Sequence, residues 1–217
     1  MSISTTAPAL SYDTVRRRLK YGLWALMACA TLSVIFYTEV PLLNKAQEHT
    51  HLHDLRWILI PHIIAGTFAL LSGPFQFSSR LRGRYRKLHR ILGRLYVGSV
   101  FIAAPLAMLS TTFAHYHKAI YFQSAIAIQG GAWLVTTAVA LVAAVQRRIP
   151  RHREWMVRSY AVTFTFIGTR VLQPIPAWNR LGRFWFAIAI VCITGLAVLT
   201  PQLARFLRHL AARFRNC

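Results

Sequence analysis

The chain has 217 residues, 55% of them hydrophobic and only 14% charged, with a mean hydropathy of +0.41. So few charges cannot cover a water-soluble domain of this length, which excludes a soluble globular protein and sends most apolar side chains to lipid. Lys and Arg number 26 against 5 Asp and Glu, a formal net charge of +21; the cations gather between apolar runs rather than along one soluble face, which excludes a nucleic-acid surface.

In chain order, residues 1–20 read as a loose polar tail that ends in Arg16, Arg17, Arg18 and Lys20. Apolar runs follow at Tyr21–Leu43, Trp57–Phe77, Ile91–Phe113, Ile120–Val145, Trp155–Leu172 and Phe184–Leu203. Each is near the roughly 20 residues that cross about 30 Å of hydrocarbon, where unpaired backbone groups force a helix. The expectation is an all-α, polytopic membrane protein with one transmembrane domain over 21–203, in which spans 2–5 form an inner four-helix bundle. The basic tail, 204–217, mixes arginine with apolar residues at helical spacing and is expected to lie on the membrane surface.

Cations fix the orientation. The N-terminal cluster, the 80–94 loop, the 147–153 loop and the tail are all arginine-rich and alternate with loops that carry few cations. Both termini are therefore expected in the cytoplasm, where the basic loops meet anionic lipid headgroups. Cys29, Cys192 and Cys217 are too scattered for a disulfide framework, and the first two are read as small core residues of apolar runs.

Two stretches share one construction: His89–Tyr96 (HRILGRLY) and His152–Tyr160 (HREWMVRSY) each begin His-Arg, end Arg-x-Tyr, follow a basic loop and lead into an apolar run. Spans 2–3 and 4–5 thus read as related hairpins, although a common pressure to place arginine inside would also make them alike.

Ionisable groups within spans are costly and by default suggest a site. Toward the outer side, His62, Gln129 and Arg170 are expected to share a polar layer, with Ser110, Thr111 or Thr112 nearby. No carboxylate is expected at that depth, so Arg170 should turn to backbone carbonyls, water or an anionic ligand. Toward the inner side, His89 and His152 sit at matching depth beside Arg90, Arg94, Arg153, Arg158, Tyr96 and Tyr160. Two neutral imidazoles on facing helices can ligate the iron of haem b, and Arg94, Arg153 and Arg158 suit its propionates. The plainer readings stay open: interfacial histidines that bind lipid phosphate, and a His62 and Arg170 that only bond neighbouring helices or snorkel.

The first outer loop carries Glu48, His49, His51, His53 and Asp54, whose alternating imidazoles could catch copper or zinc but more commonly are solvated; His115 and His117 are similar. Glu154, directly after His152-Arg153, is expected to pair with an adjacent arginine. No hydrolase nucleophile motif, phosphate loop, dinucleotide fingerprint or H-E-x-x-H occurs.

The set His62…Gly66…Gly73-Pro74, Arg82, His89-Arg90…Gly93-Arg94…Tyr96, His152-Arg153-x-Trp155-Met156-x-Arg158-Ser159-Tyr160 and Arg170, spread over residues 57–174, resembles a bacterial family of predicted multi-pass membrane proteins of unknown function. That resemblance implies a bacterial inner-membrane location and no activity. In architecture alone the chain resembles the six-helix transmembrane cytochromes b reduced by ascorbate, which hold two haems on histidines from four central helices. Here spans 2, 3 and 5 offer His62, His89 and His152, and span 4 departs from that pattern with Gln129. The leading expectation is a haem-b membrane electron carrier, with His89 and His152 on the iron and His62 and Arg170 forming an outer site for a second cofactor, a quinone or another redox partner. The alternative is a non-enzymatic protein that binds or transports an anionic lipid or small solute, or an accessory subunit of a membrane complex.

Overall fold

The structure, a computed structural model, describes residues 12–41, 54–113, 120–172 and 182–215 together with positions 44, 175 and 180. No strand occurs among them. Among the described residues seven α-helices follow one another: α1 (Tyr12–Val34), α2 (Arg56–Gln76), α3 (Ser79–Arg84), α4 (Arg86–Phe113), α5 (Ile120–Val145), α6 (Ile149–Leu172) and α7 (Gly182–Arg215). α1 runs directly into a π-helical turn, Ile35–Glu39. The protein is an all-α polytopic membrane protein, as its composition requires.

Among the described residues, four helices are long and apolar enough to cross a bilayer: α2, α4, α5 and, within α7, Phe184–Leu207. The other two expected spans differ, each for a physical reason. The apolar part of the first is shorter, Trp24–Glu39, and its helix begins within the expected tail, at Tyr12. α6 is polar because it is the axis of the bundle, packed against α1, α2, α5 and α7. Arg158, Ser159, Thr163, Thr165 and Thr169 are all buried there, so they meet protein instead of lipid. The lipid-facing surface is apolar by contrast: Ile64, Phe68, Leu71 and Phe75 on α2, and Phe101 and Ile102 on α4, are exposed. Cys29 and Cys192 are exposed too, correcting their reading as core residues.

At the centre the hydroxyls satisfy one another. Tyr96 bonds Ser159 Oγ at 2.7 Å and Thr163 Oγ1 at 2.8 Å, Ser159 also bonds Thr137 Oγ1 at 2.7 Å, and the Trp133 indole N–H donates to Thr163 Oγ1 at 2.8 Å. This network ties α4, α5 and α6 together through the buried side chains' own hydrogen bonds. Proline shapes a second tie. Pro74, inside α2, has no N–H for the carbonyl of Leu70, and the Tyr160 hydroxyl donates to that carbonyl at 3.3 Å.

Two local devices build the arginine-rich end of the bundle. Ser78 caps α3 by accepting from Leu81 N–H at 3.3 Å, and Leu81 buries itself, so the short helix folds under α2. α5 ends in a Schellman turn: Arg148 N–H donates to Ala143 O at 2.8 Å and Arg147 N–H to Ala144 O at 3.0 Å. Arg147 takes the left-handed conformation there, with φ 57°. The chain therefore re-enters α6 almost at once, which places His152 beside the last turns of α5. α4 and α6 both begin before their expected apolar runs, and His89 and His152 lie near the starts of these helices.

Candidate functional site

Where α2 ends, α4 and α6 begin and α5 closes, a cleft of about 730 Å³ opens at the basic end. This volume lies within the roughly 300–1,000 Å³ typical of cofactor pockets. Its walls combine apolar side chains (Phe77, Ala144, Ile149, Met156, Val157) with His89, His152, Gln76, Arg82, Arg86, Arg90 and Arg153. Four arginines and no carboxylate line it, so its charge complement is an anion with a substantial apolar body.

His152 is held in one tautomer. Its Nδ1 lies 2.9 Å from Ala140 O. A carbonyl only accepts, so Nδ1 carries the proton and the Nε2 lone pair of the neutral ring is left for a ligand. Metal-bound histidines are commonly fixed in this way. His89 lines the same cleft as His152. Its Nδ1 is buried without a hydrogen-bond partner, and so is Nε2 of Gln76, a residue only 7% exposed. Two orphaned polar atoms in one cleft are costly unless something binds there.

The expected arginines do not all reach the cleft. Arg153 lines it. Arg94 is exposed and absent from the lining, and Arg158 turns to the opposite face of α6. There it donates to Glu154 Oε1 at 2.8 Å and to Val198 O at 3.1 Å, with its guanidinium over the Trp155 ring. Glu154 bridges this arginine to Arg205 of α7 at 3.0 Å. The hydrogen bond from Arg158 holds the Glu154 carboxyl below its ordinary value, just outside the apolar part of α6. Arg82 takes the place expected of Arg94 and Arg158: it donates to Gln76 O at 3.0 Å and lines the cleft.

The polar layer expected at the far end is only partly formed. His62 and Arg170 line a common pocket, together with Thr67, Trp133, Thr163 and Phe166. His62 Nδ1 lies 2.8 Å from Ala103 O, which fixes its tautomer as at His152. Gln129 stands apart, buried between α5 and α6, where its amide donates to Thr165 Oγ1 at 2.7 Å. Ser110, Thr111 and Thr112 bond carbonyls of their own helix. Arg170 does have a carboxylate at its depth: Glu39 Oε1 lies 3.6 Å from its Nε, correcting the expectation that none was available. Glu39 ends the π-helical turn that leads on from α1.

Glu39 and Gln76 are the residues that sequence reasoning missed. The signal for Glu39 was present, because no other carboxylate falls within the six apolar runs. Gln76 gave none, as an amide at a helix end is ordinary. The histidines at 49, 51, 53, 115 and 117 lie outside the described residues, and among the described residues no group of three or more His, Cys, Asp or Glu is placed to hold a metal ion. His209 is exposed on the tail.

No curated protein and no solved structure matches the chain significantly. A family model described as a predicted membrane protein (DUF2306) matches residues 59–206, from α2 through most of α7. Both clefts fall mainly within that range, while Glu39 and α1 precede it. The chain belongs to the DUF2306 family of predicted membrane proteins.

Proposed function

We propose that the protein is a membrane electron carrier whose basic-end cleft takes a b-type haem between His89 and His152. The observation that carries this reading is that one cleft of cofactor size is lined both by a tautomer-locked imidazole, His152, and by His89, whose buried Nδ1 has no hydrogen-bond partner. Haem supplies a one-electron couple when bound. The chain's own part is to present the Nε2 lone pair of His152, to place Arg82, Arg86, Arg90 and Arg153 against propionate carboxylates, and to shield the ring with Phe77, Met156 and Val157. With the basic loops in the cytoplasm, as the distribution of arginine favours, the cleft faces a cytoplasmic electron donor in a bacterial inner membrane.

The four cleft arginines equally suit an anionic lipid headgroup, and this is the second reading. A visible spectrum of the detergent-solubilised protein separates the two. A Soret band that sharpens and shifts on reduction supports haem. A colourless preparation that retains an anionic lipid, and loses it in Arg82→Ala, assigns the cleft to a lipid headgroup instead.

A further inference from the structure

The far-end pocket opens between α1, α2 and α6, and its polar side chains fall into two sets. Glu39 and Arg170 are paired at 3.6 Å, so together they carry no formal charge. A bound anion would face the Glu39 carboxylate and a bound cation the Arg170 guanidinium, which favours a neutral headgroup. His62 is the second element. Because Ala103 O accepts a hydrogen bond from its Nδ1–H, the nitrogen left on the neutral ring is an acceptor, suited to an O–H donor. Trp133 and Phe166, with ring centroids 5.0 Å apart, give the pocket aromatic walls. The pocket has a volume of about 60 Å³.

Leu70 is shared between this pocket and a second space, an almost wholly apolar groove of about 370 Å³. That groove runs between α1 and α2 past Met27, Leu32, Leu71 and Phe75. A neutral, hydrogen-bonding, aromatic-walled pocket thus adjoins a channel for an apolar chain on the lipid-facing side of the bundle. A lipid with a net-anionic headgroup fits this poorly, since the Glu39–Arg170 pair offers it no net positive charge.

We infer that the far-end pocket binds a lipid-soluble hydroquinone, its ring hydroxyl donating to His62 Nε2 and its tail lying in the groove between α1 and α2. The binding claim stands on this pocket alone. That the hydroquinone exchanges electrons with the basic-end cleft rests on the electron-carrier reading above.

The test uses the full chain in lipid nanodiscs, with a decyl-tailed benzoquinol kept reduced under argon and its oxidised quinone as probes. Saturable retention of about one quinol per chain over protein-free nanodiscs, at least tenfold tighter than for the quinone, is the expected result. His62→Phe removes the acceptor and should weaken quinol binding at least tenfold. Gly66→Leu is the second variant: Gly66 lines the pocket with open space where a Cβ would stand, so the larger side chain plugs the site without a clash at its root. It should abolish retention of both probes while leaving the melting temperature near that of the wild type. Quinol retained no better than by empty nanodiscs, or bound equally by wild type, His62→Phe and Gly66→Leu, overturns the assignment and leaves the groove to acyl chains. The visible spectrum of the same preparation reports separately on haem, so the failure of one proposal is distinguishable from that of the other.

Discussion

The Tyr160 ring lies directly against the bare Cα of Gly73: a Cβ added at 73 would overlap Cδ2 and Cε2 of the tyrosine. The ring cannot easily retreat, because its hydroxyl is tied to Leu70 O and its other neighbours are Phe77 and Tyr96. Gly73→Ala should therefore force α2 and α6 apart and cost roughly 1–3 kcal/mol. Thermal unfolding in detergent, followed by loss of helical circular dichroism, measures this. An unchanged midpoint would mean the contact between α2 and α6 is looser than described.

Arg147 holds φ 57° to close the turn between α5 and α6, a conformation that suits glycine better than any residue with a Cβ. Its side chain is exposed, so little packing is lost by removing it. Arg147→Gly should stabilise the fold by about 1 kcal/mol. The same unfolding assay checks the sign, which is unusual for a substitution to glycine.

Glu154 joins α6 to α7 through Arg158 and Arg205. Glu154→Gln leaves the buried Arg158 without its carboxylate and should lower stability by roughly 1–2 kcal/mol, less than for a fully buried pair because Glu154 is partly exposed. The pH dependence follows from the lowered carboxyl. Its folded pKa lies below the unfolded one, so the contribution is present above the unfolded pKa and is lost as pH falls through the folded pKa. Wild type and Glu154→Gln should thus converge in melting temperature in acid and separate near neutrality.

The arginines test which groups face the ligand. Arg82 lines the cleft and Arg94 does not. Arg82→Ala should weaken retention of the cleft ligand roughly tenfold, the loss of one charge-assisted hydrogen bond. Arg94→Ala should leave it unchanged. Ligand content per chain after washing in detergent and salt is the readout, and equal losses in the two variants would point to a diffuse surface charge.

Much of this was legible in the sequence. Apolar runs and interleaved arginines specify spanning helices, and the paired His-Arg stretches led to His89 and His152, which the structure brings to one cleft. Depth along a helix is readable from residue number, but facing is not. Arg158 and Arg153 are five residues apart and turn to different neighbours, and Gln129 turns to Thr165 instead of His62. The π-helical turn at Ile35–Glu39 alters the facing of α1 in a way that no regular periodicity predicts. α6 reads as another lipid-facing span only until its hydroxyls are counted, since a helix that buries them must lie at the centre.

Haem content in His89→Ala and His152→Ala, set against wild type, tests the iron-ligation proposal most directly. Each purified protein is titrated with haem in detergent and its reduced-minus-oxidised visible spectrum recorded. Wild type should take up one haem per chain with the low-spin spectrum of two imidazole ligands, and either substitution should lose that spectrum. A wild type that stays colourless after haem is supplied, or variants whose Soret band matches that of wild type, would contradict ligation by this pair.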